Sequence, residues 1–416
     1  MKLYQHQIDA LDQTKDFNRV AFFHDMGLGK TYTGAEKMQR LGGRVNLVIC
    51  QKSKIRDWFD HFMTNYPEIC VADLTVTGII DEYKHERNNI VVGIINYDLI
   101  FRRAELMCIE YDTILLDESS MIQNDRAKRT RAIMKLKTQN VILLSGTPTG
   151  GKYENLYSQL NLLGWKITKT EYYRQFINTT LLDVGGARIP IVTGYKNVAR
   201  LKRKMREYGC HFLQTKDVFD LPQQTFVDVY VNRSSKYRQF RKTSIVTVGD
   251  RELVGDTILT EMLYQRQLCG AYSTEKLKAL SDILESTDDR LIIFYNFNEE
   301  LRQIKKLIKR PISIVNGSKK DLTAYEEKSD SITLIQYQAG AMGLNLQKAN
   351  KIVYFSPPLS SELYEQSKKR IHRINQIRPC FYYQLICKNS IEEKIYSVLE
   401  RRQDYTERLF VAGWKI

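Results

Sequence analysis

The stretch Phe22–Thr31, FFHDMGLGKT, decides how this chain folds. The apolar run Val20–Phe23 predicts a buried strand that leads into it, and Tyr32–Leu41 predicts a helix that follows it. A strand, a glycine turn and a helix that opens on Lys-Thr form a phosphate cradle, because glycines admit the anion to the backbone and the first helical N–H groups point at it. The Walker pattern would place glycine where this chain has His24, so an ordinary glycine-rich strand–helix turn stays an alternative on this stretch alone.

Two side chains at the end of this stretch suit a nucleoside triphosphate. Lys30 is expected to neutralise the terminal phosphates, and the Thr31 hydroxyl is expected to hold magnesium. Upstream, Leu3–Leu11 predicts a short amphipathic helix that carries Gln7. The Gln7 amide could pair with the adenine edge because it has both a donor and an acceptor, and the alternative is an ordinary surface residue.

The strand predicted at Thr113–Glu118, TILLDE, ends in two carboxylates. Asp117 suits a magnesium ligand, and Glu118 suits the base that orients an attacking water. Such an ending is common in isolation, but here it follows a GKT turn in an alternating order of strands and helices. That order predicts a parallel, doubly wound sheet, with further strands at Arg44–Cys50, Asn89–Ile95 and Asn140–Leu144.

Polar residues follow several of these strands, where the ligand edge of a parallel sheet lies. Gln51–Lys54 and Asn96–Asp98 could hold a phosphate backbone, or they could be ordinary loops. Ser145–Pro148, SGTP, offers small hydroxyl residues that could pass a change at the nucleotide to a nucleic acid.

Past Gly164 the alternation loosens and then resumes. Thr179–Gly194, which includes Gly185-Gly186, predicts a small hairpin, and Lys196–Tyr208 predicts a strongly basic helix. Such a helix either contacts nucleic acid or is a solvated face. Phe226–Val231 predicts a strand. After a polar, helical connector over Ser234–Tyr272, further strands are predicted at Leu291–Tyr295, Ile312–Val315, Ile332–Gln336 and Lys351–Phe355.

The segment Glu362–Gln376, ELYEQSKKRIHRINQ, predicts a helix with two arginines on one face. Gln366, Arg370 and Arg373 fall at positions i, i+4 and i+7. Two planar guanidinium groups suit the oxygens of a pentavalent phosphoryl group. A salt-bridged surface helix is the alternative.

Composition narrows the class of protein. The 416 residues are 43% hydrophobic, enough for two cored domains, and the net charge of +15 favours a polyanionic partner. The seven cysteines never form CxxC, which argues for reduced thiols and against a zinc site. We expect no membrane span, signal peptide or repeat array from the hydrophobic pattern.

Taken together, these motifs resemble those of superfamily 2 helicases, and specifically the SNF2-like DNA translocases. His6-Gln7 resembles the adenine-reading glutamine motif, and DMGLGKT resembles motif I. LLDESSMIQN (Leu115–Asn124) is similar to motif II, and SGTP is similar to motif III. In the second half of the chain, QAGAMGLNL resembles motif V and EQSKKRIHRINQ resembles motif VI. The resemblance implies two RecA-like lobes, each a doubly wound parallel sheet, with ATP and magnesium as cofactors. It gives a first lobe over residues 1–232 with a helical and hairpin insertion at about 165–212, a connector over 233–272 and a second lobe over 273–416.

The resemblance also implies roles for matching positions. The implied catalytic residues are Lys30, Asp117, Glu118, Arg370 and Arg373, of which the two arginines would be arginine fingers. Thr31 and Asp117 are the implied ligands of magnesium. The implied ATP site comprises His6, Gln7, Asp25, Met26, Gly27, Leu28, Gly29, Lys30, Thr31 and Gln366. The expected DNA contacts are Gln51, Lys52, Ser53, Asn96, Tyr97, Thr147, Asn296, Gln338, Ala339 and Gly340, with Lys202 and Lys204 of the basic helix.

The chain departs from the family pattern at three places that bear on coupling to DNA. Ser119-Ser120 stands where the family often has Ala-His, and Leu213-Gln214 replaces paired arginines before Thr-Lys. Thr149-Gly150-Gly151 follows SGTP in place of Leu-Gln-Asn. GYKNVARLKRKM resembles a segment of the annealing-helicase branch.

The sequence therefore predicts a DNA-dependent ATPase that translocates on branched or protein-bound DNA in replication, recombination or repair. The alternatives are an RNA-directed helicase and a DNA-binding scaffold with a vestigial ATP site. We expect duplex, forked or single-stranded DNA as partner, with single-strand-binding or recombination proteins, and a monomer on DNA. A minimal chain of this kind suggests a bacteriophage protein that works in the host cytoplasm.

Overall fold

The computed structural model describes residues 2–86, 89–184, 187–340 and 344–410 and divides into two compact units. The first takes in the described residues up to Val218 and those from Asp404 on, and the second runs from Phe219 to Gln403. Each unit contains a seven-stranded sheet. The prediction of two doubly wound α/β lobes is confirmed.

The first sheet is wholly parallel and has the strand order β3-β4-β2-β5-β6-β1-β9. The strands of this unit are β1 (Arg19–His24), β2 (Val45–Cys50), β3 (Cys70–Asp73), β4 (Val91–Asn96), β5 (Glu110–Asp117), β6 (Lys137–Leu144), β7 (Ile177–Val184), β8 (Ala187–Tyr195) and β9 (Cys210–Leu213). Its helices are α1 (Gln5–Gln13), α2 (Lys30–Leu41), α3 (Ile55–Asn65), α4 (Ile79–His85), α5 (Lys128–Ile133), α6 (Tyr157–Leu162), α7 (Lys169–Phe176) and α8 (Val198–Glu207).

Both faces of this sheet are covered, as a parallel sheet requires. Along β1, Val20 and Phe22 belong to one apolar cluster, while Ala21 and Phe23 belong to the cluster on the opposite face. All four side chains are fully buried. The short apolar run before the glycine loop is therefore a central strand, which holds the loop at the edge of the sheet.

The insertion in the first unit contains the predicted hairpin and basic helix. Strands β7 and β8 pair antiparallel as far as Val184 and Ala187, and α8 follows them; Gly185-Gly186 lies outside the described residues. One correction concerns the end of the insertion. The sequence analysis extended it to about residue 212, but β9 is a strand of the main sheet that pairs with β1.

The second sheet has the order β10-β18-β17-β13-β16-β14-β15 and is parallel except for the pair β14–β15. Its unit contains strands β10 (Gln224–Val231), β11 (Ile245–Val248), β12 (Arg251–Val254), β13 (Leu291–Tyr295), β14 (Ile312–Val315), β15 (Lys320–Asp321), β16 (Ile332–Gln336), β17 (Lys351–Tyr354) and β18 (Cys380–Cys387). The helices that begin in this unit are α9 (Ser235–Thr243), α10 (Ile258–Cys269), α11 (Thr274–Glu285), α12 (Asn298–Leu307), α13 (Thr323–Glu327), α14 (Tyr337–Gly340), α15 (Ser361–Lys368) and α16 (Ile391–Phe410), of which α16 extends past Gln403 into residues that group with the first unit.

The boundary between the units differs from the one drawn on the sequence. The sequence analysis gave residues 1–232 to the first lobe, but β10 pairs along its whole length with β18 of the second sheet. The division therefore falls after Val218. Local pattern identifies β10 as a strand, but the sheet it joins depends on a partner far along the chain.

The segment 233–272, predicted to be a helical connector, also differs. It consists of α9, the hairpin β11–β12 and α10, which share an apolar cluster that includes Phe240, Val246 and Leu268. This cluster also contains Val231 of β10 and Cys387 of β18. The segment is therefore a packed part of the second unit.

Two expectations from composition concern membranes and thiols. None of the helices in the described part of the chain has the length and apolar character needed to cross a bilayer. All seven cysteines lie within the described residues, and each is a free thiol.

A buried ion pair joins two distant segments of the second unit. The Lys276 ammonium, on α11, donates to both carboxylate oxygens of Glu392 at 2.6 Å, and both side chains are at most 1% exposed. Burial alone would lower the pKa of Lys276, but the charge of Glu392 raises it above its usual value. Cys269 and Cys387 lie beside this carboxylate, whose two oxygens both accept hydrogen bonds from the Lys276 ammonium.

Removing one partner of this pair should destabilise the second unit. We expect Lys276→Met to lower the free energy of unfolding by about 3–5 kcal/mol, because the Glu392 carboxylate would stay buried without its counter-charge. Urea denaturation measures this loss. The double variant Lys276→Met/Glu392→Leu should recover most of it, whereas Lys137→Met, in an exposed pair with Glu110, should change little. Equal losses from Lys276→Met and Lys137→Met would contradict this account.

Two buried histidines lie side by side at the edge of the first sheet. His24 Nε2 and His211 Nδ1 are 2.8 Å apart, and both rings are at most 4% exposed. Burial lowers the pKa of His24 well below its usual 6.5, and burial lowers the pKa of His211 to about 4. Both imidazoles are therefore neutral at neutral pH.

The stability of the first unit should fall in acid because of this pair. Since the unfolded histidines bind protons below pH 6.5 and the folded ones do not, the free energy of unfolding should decrease as the pH falls from 6.5 towards about 4. Urea denaturation across this range should show a shallower pH slope for His211→Gln than for the wild type. The exposed His85, changed to Gln, is the matched control and should leave the slope as it is. An unchanged slope in His211→Gln would refute the assignment.

Candidate nucleotide-binding site

The loop between β1 and α2 depends on two glycines in left-handed conformations. Gly27 has φ of 91° and Gly29 has φ of 69°, and Gly29 is the N-cap residue of α2. A β carbon on Gly29 would come within 2.4 Å of Gln7 Nε2. Backbone conformation and lack of space both require glycine here. The predicted strand, glycine loop and helix N-terminus are therefore present, and phosphate binding by them stays a prediction.

The helix α1 braces this loop. Gln7 Nε2 donates to the carbonyl oxygens of Gly29 at 3.0 Å and Leu28 at 3.4 Å, and Gln7 Oε1 accepts from the backbone N–H of Tyr4 at 2.9 Å. His6 Nε2 lies 3.1 Å from the Leu28 oxygen. Adenine recognition by His6 and Gln7 stays a prediction. The role that the structure shows is support of the loop.

Lys30 lies across the loop that precedes it. Its ammonium donates to the carbonyl oxygens of His24 at 3.0 Å and Asp25 at 3.1 Å. These two carbonyls are neutral, so the Lys30 ammonium is well placed to exchange them for phosphate oxygens, because hydrogen bonds between two charged groups are stronger. The position of Lys30 agrees with its predicted role.

The start of the loop is anchored to the segment after β9. The Asp25 backbone N–H donates to the Leu213 oxygen at 2.9 Å. The Asp25 carboxylate accepts from the backbone N–H of Thr215 at 3.1 Å and from its hydroxyl at 3.3 Å. Asp25 therefore binds another segment of the protein, the one in which Leu213-Gln214 departs from the family pattern.

The two predicted carboxylates end β5. Glu118 has φ of 56° and ψ of 62°, a left-handed conformation that is strained for a residue with a side chain. The buried Tyr97 holds this turn, because its hydroxyl donates to the carbonyl oxygens of Asp117 at 2.9 Å and Glu118 at 3.3 Å. This conformation changes the direction of the chain directly after β5, at the residue that is predicted to orient the attacking water.

The electrostatics of Asp117 fit a cation site. Burial raises the pKa of its carboxyl, and the hydrogen bond from Trp58 and the charge of Lys30 act in the opposite direction. The charge of Lys30, in the glycine loop, therefore opposes the effect of burial on the pKa of the Asp117 carboxyl at the end of β5. The Thr31 hydroxyl and the Asp117 carboxylate are hard oxygen donors of the kind that Mg²⁺ takes from protein. The residues present therefore fit magnesium.

SGTP lies against both parts of this site. The Ser145 hydroxyl donates to Glu118 Oε2 at 3.4 Å. A β carbon on Gly146 would lie 3.2 Å from Met26 Cγ and 3.5 Å from Lys30 Nζ. The strand β6 therefore brings SGTP between the glycine loop and the carboxylates.

A second buried contact ties the carboxylate turn to SGTP. The Ser119 hydroxyl donates to Gln159 Oε1 at 2.8 Å, and Gln159 Nε2 donates to the Pro148 oxygen at 2.7 Å. Ser119 and Gln159 are fully buried. Ser119, one of the departures from the family pattern, therefore forms a link that an alanine could not form.

The second unit contains the predicted arginines in a different local structure. The sequence analysis placed Gln366, Arg370 and Arg373 on one helix face, but α15 ends at Lys368 and both arginines lie in the turns that follow. Arg370 is 2% exposed and donates to the Leu344 oxygen at 3.3 Å. Buried hydrogen bonds of the turn replace those of a continued helix.

The hydrogen bonds and burial of three other residues of this motif are defined in the second unit. Gln376 Nε2 donates to the carbonyl oxygens of Gln347 at 3.0 Å and Ala349 at 2.9 Å, which fixes the end of the turns. Gln366 is 6% exposed and donates to Glu362 at 3.3 Å. Arg373 is partly buried, and burial lowers the pKa of its guanidinium. Of motif V, residues 341–343 lie outside the described residues.

The predicted DNA contacts divide into exposed and buried groups. Lys52, Ser53 and Gln338 are exposed, and Gln51 and Lys204 are partly so. Five others, whose contact with DNA stays a prediction, have side chains that are at most 9% exposed: Asn96, Tyr97, Thr147, Ala339 and Lys202.

The buried side chains in this set support the fold. Lys202 lies on the core face of α8 with Leu201 and Met205, while Arg203 is exposed, so the charge pattern alone did not show which cations face solvent. The Asn296 amide donates to Ser356 Oγ at 2.8 Å and to the Pro357 oxygen at 3.0 Å. Gly340 is the last residue of α14.

The sequence analysis missed three residues that hold the site: Trp58, Gln159 and Thr215. Each acts on a partner distant in sequence, Asp117, Pro148 or Asp25 respectively. Of these three residues, only Trp58 could have been identified from the sequence, because a tryptophan on the apolar face of a helix directly after a strand is expected to be buried.

Replacing Gly29 tests the loop geometry. We expect Gly29→Ala to abolish nucleotide binding, because the β carbon would strain the backbone and displace Gln7. Gly42→Ala is the matched control, since Gly42 has φ of +70° but no atom within 4 Å of a β carbon. Fluorescent-nucleotide titration measures binding, and thermal unfolding checks the fold. Equal effects of the two variants on binding would show that strain alone, and not the contact with Gln7, is responsible.

The chain matches two family models over most of its length. Residues 10–274 match the SNF2-related domain, and residues 275–375 match the helicase conserved C-terminal domain. A Bacillus subtilis protein named as a candidate ATP-dependent helicase/translocase, YwqA, is 24% identical over 92% of this chain and 46% of its own length. The DNA repair and recombination protein RAD26 of Saccharomyces cerevisiae is 24% identical over 94% of this chain and 40% of its own length.

A solved structure, the SWI2/SNF2 ATPase core of Sulfolobus solfataricus in complex with dsDNA, aligns with a TM-score of 0.46 and 20% identity over 99% of this chain and 94% of that one. The present chain spans less than half the length of YwqA and RAD26. The SNF2-related model alone covers more than half of the 416 residues. The chain belongs to the SNF2-related family.

Proposed function

We propose that this protein is an ATP-dependent DNA translocase that hydrolyses ATP to move along DNA. The observation that carries the proposal is the meeting of Lys30, Asp117 and Glu118 at one edge of the first sheet, with SGTP between the loop and the carboxylates. Such a meeting serves phosphoryl transfer, in which positioning and charge supply most of the catalysis.

In this proposal the residues of the first unit hold and activate the reactants. The loop N–H groups and the Lys30 ammonium bind the β- and γ-phosphates. Glu118 orients the attacking water and accepts its proton, and the strained turn with its Tyr97 hydrogen bonds sets the direction of this carboxylate. Thr31 and Asp117 would hold magnesium, which when bound offsets negative charge on the phosphates.

Arg370 and Arg373 of the second unit are proposed to stabilise the charge that develops on the transferred phosphoryl group. A planar guanidinium suits these oxygens, and two in one short segment suit a pentavalent arrangement. Burial of Arg370 and the hydrogen bonds of Gln376 give that segment a defined shape.

The proposed partner is DNA. The net charge of +15 suits a polyanion, and Lys52, Ser53 and Gln338 are exposed where the sequence predicts contact. We propose branched or protein-bound DNA as substrate in replication, recombination or repair, in a phage-type setting within the cytoplasm. The support is the motif series and the likeness of residues 194–205 to a segment of the annealing-helicase branch.

ATP hydrolysis without nucleic acid and with single-stranded DNA, duplex DNA, forked DNA or RNA tests the proposal. We expect strong stimulation by duplex or forked DNA, with DNA affinity that falls steeply with salt because phosphate contacts dominate it. Stimulation by RNA alone would select an RNA-directed helicase. Absence of turnover under all conditions would favour a DNA-binding scaffold.

Variants of the proposed catalytic residues separate hydrolysis from DNA binding. We expect Lys30→Ala, Glu118→Gln and Arg373→Ala each to abolish turnover, by about 10³-fold or more for the arginine, while DNA binding is largely retained. Turnover and DNA affinity are measured on the same preparations. Lys137→Ala, which removes an exposed cation of the first unit, should leave turnover unchanged. Full activity in Lys30→Ala would overturn the assignment of the site.

A further inference from the structure

Trp58 makes a buried contact in the first unit that the proposed function does not use. This tryptophan lies on α3, is 1% exposed, and donates its indole N–H to Asp117 Oδ2 at 2.9 Å. The two residues are brought together only by the fold, because α3 follows β2 and Asp117 ends β5. The carboxylate predicted to hold magnesium is therefore bound by a donor on a neighbouring helix.

The chemistry of the indole makes this contact one-directional. Its nitrogen is a donor and never an acceptor, so it always presents a proton to the carboxylate. A hydrogen bond to a charged acceptor is stronger than one between neutral groups and restricts rotation of the acceptor. The contact therefore restricts the orientation of the Asp117 carboxylate.

Aromatic packing fixes the position of Trp58. Its ring stacks on Phe62, with centroids 5.8 Å apart and planes at 28°, and meets His61 edge-on at 6.0 Å. His61 in turn meets the ring of Tyr32 edge-on at 4.7 Å. Tyr32 directly follows Thr31, the other predicted magnesium ligand. One face of α3 therefore supports the elements that carry both ligands.

We infer that Trp58 is a positioning residue for the metal site, which holds the Asp117 carboxylate in the orientation that a nucleotide-bound divalent cation requires. This inference rests on the proposed ATP site. Ligating carboxylates depend on partners that orient them, and loss of such a partner typically lowers metal affinity about 10–100-fold. Trp58 touches neither substrate nor metal in this account and acts through Asp117.

Manganese binding tests the inference apart from catalysis. Mn²⁺, which replaces Mg²⁺ and gives an electron paramagnetic resonance signal, is titrated into the full chain saturated with a non-hydrolysable ATP analogue. Trp58→Phe keeps an aromatic ring and removes only the N–H donor and part of the ring. We expect it to bind Mn²⁺ about 10–100-fold more weakly, while binding of the analogue in EDTA is unchanged.

Tyr66→Phe is the matched control. Tyr66 is the C-cap residue of α3, and the change removes a hydroxyl that donates to Glu36 at 3.2 Å, so it too removes a hydrogen bond made by an aromatic residue. It should leave Mn²⁺ affinity unchanged. If Trp58→Phe does not fold, as judged by analogue binding in EDTA, Trp58→Met takes its place, because a flexible apolar side chain fills irregular space and carries no donor.

The outcomes separate this inference from the proposed function. A wild-type protein that binds neither analogue nor Mn²⁺ would overturn both. A wild-type protein that binds Mn²⁺, with a folded Trp58 variant of equal affinity, would overturn the positioning role alone. Equal weakening by Trp58→Phe and Tyr66→Phe would likewise overturn it, because the effect would then belong to the packing of α3.

Discussion

The left-handed backbone at Gly29 is the constraint on which the first unit depends. It ends the glycine loop, begins α2 and leaves room for the Gln7 amide that braces the loop from α1. From this point Lys30 can return over the loop, and the first turn of α2 can direct its N–H groups to the edge of the sheet. Any other residue there would have to adopt a strained conformation in space already occupied by Gln7.

Around this loop, contacts between distant segments give the carboxylate turn its shape. Tyr97 from the end of β4 holds the backbone of Glu118, and Trp58 from α3 holds the side chain of Asp117. Ser145 and Gln159 connect the same turn to SGTP. Since α3 begins directly after the turn 52–54, in which Lys52 and Ser53 are exposed, a contact with a nucleic acid there would adjoin the helix that carries Trp58.

Several residues expected at a DNA interface also build the unit. Tyr97 is an example, because a polar aromatic after a strand suits a ligand edge and equally suits a buried hydrogen-bond donor. Lys202 is another, since the charge run of α8 does not show that its chain lies beside Leu201 and Met205. In the second unit, the spacing of Arg370 and Arg373 suited a helix, but hydrogen bonds from Arg370 and Gln376 to the segment 344–349 stabilise a turn.

The sequence by itself determined the two α/β units, most strands, the glycine loop and the carboxylate pair. These features rest on local rules: apolar runs make buried strands, and GxGKT makes a turn that opens a helix. Only the tertiary structure decided that β10 joins the second sheet, that Asp25 is tied to Thr215 and that Trp58 reaches Asp117. The physical reason is that strand pairing and side-chain hydrogen bonds join residues far apart in the chain, and local pattern carries no information about those partners.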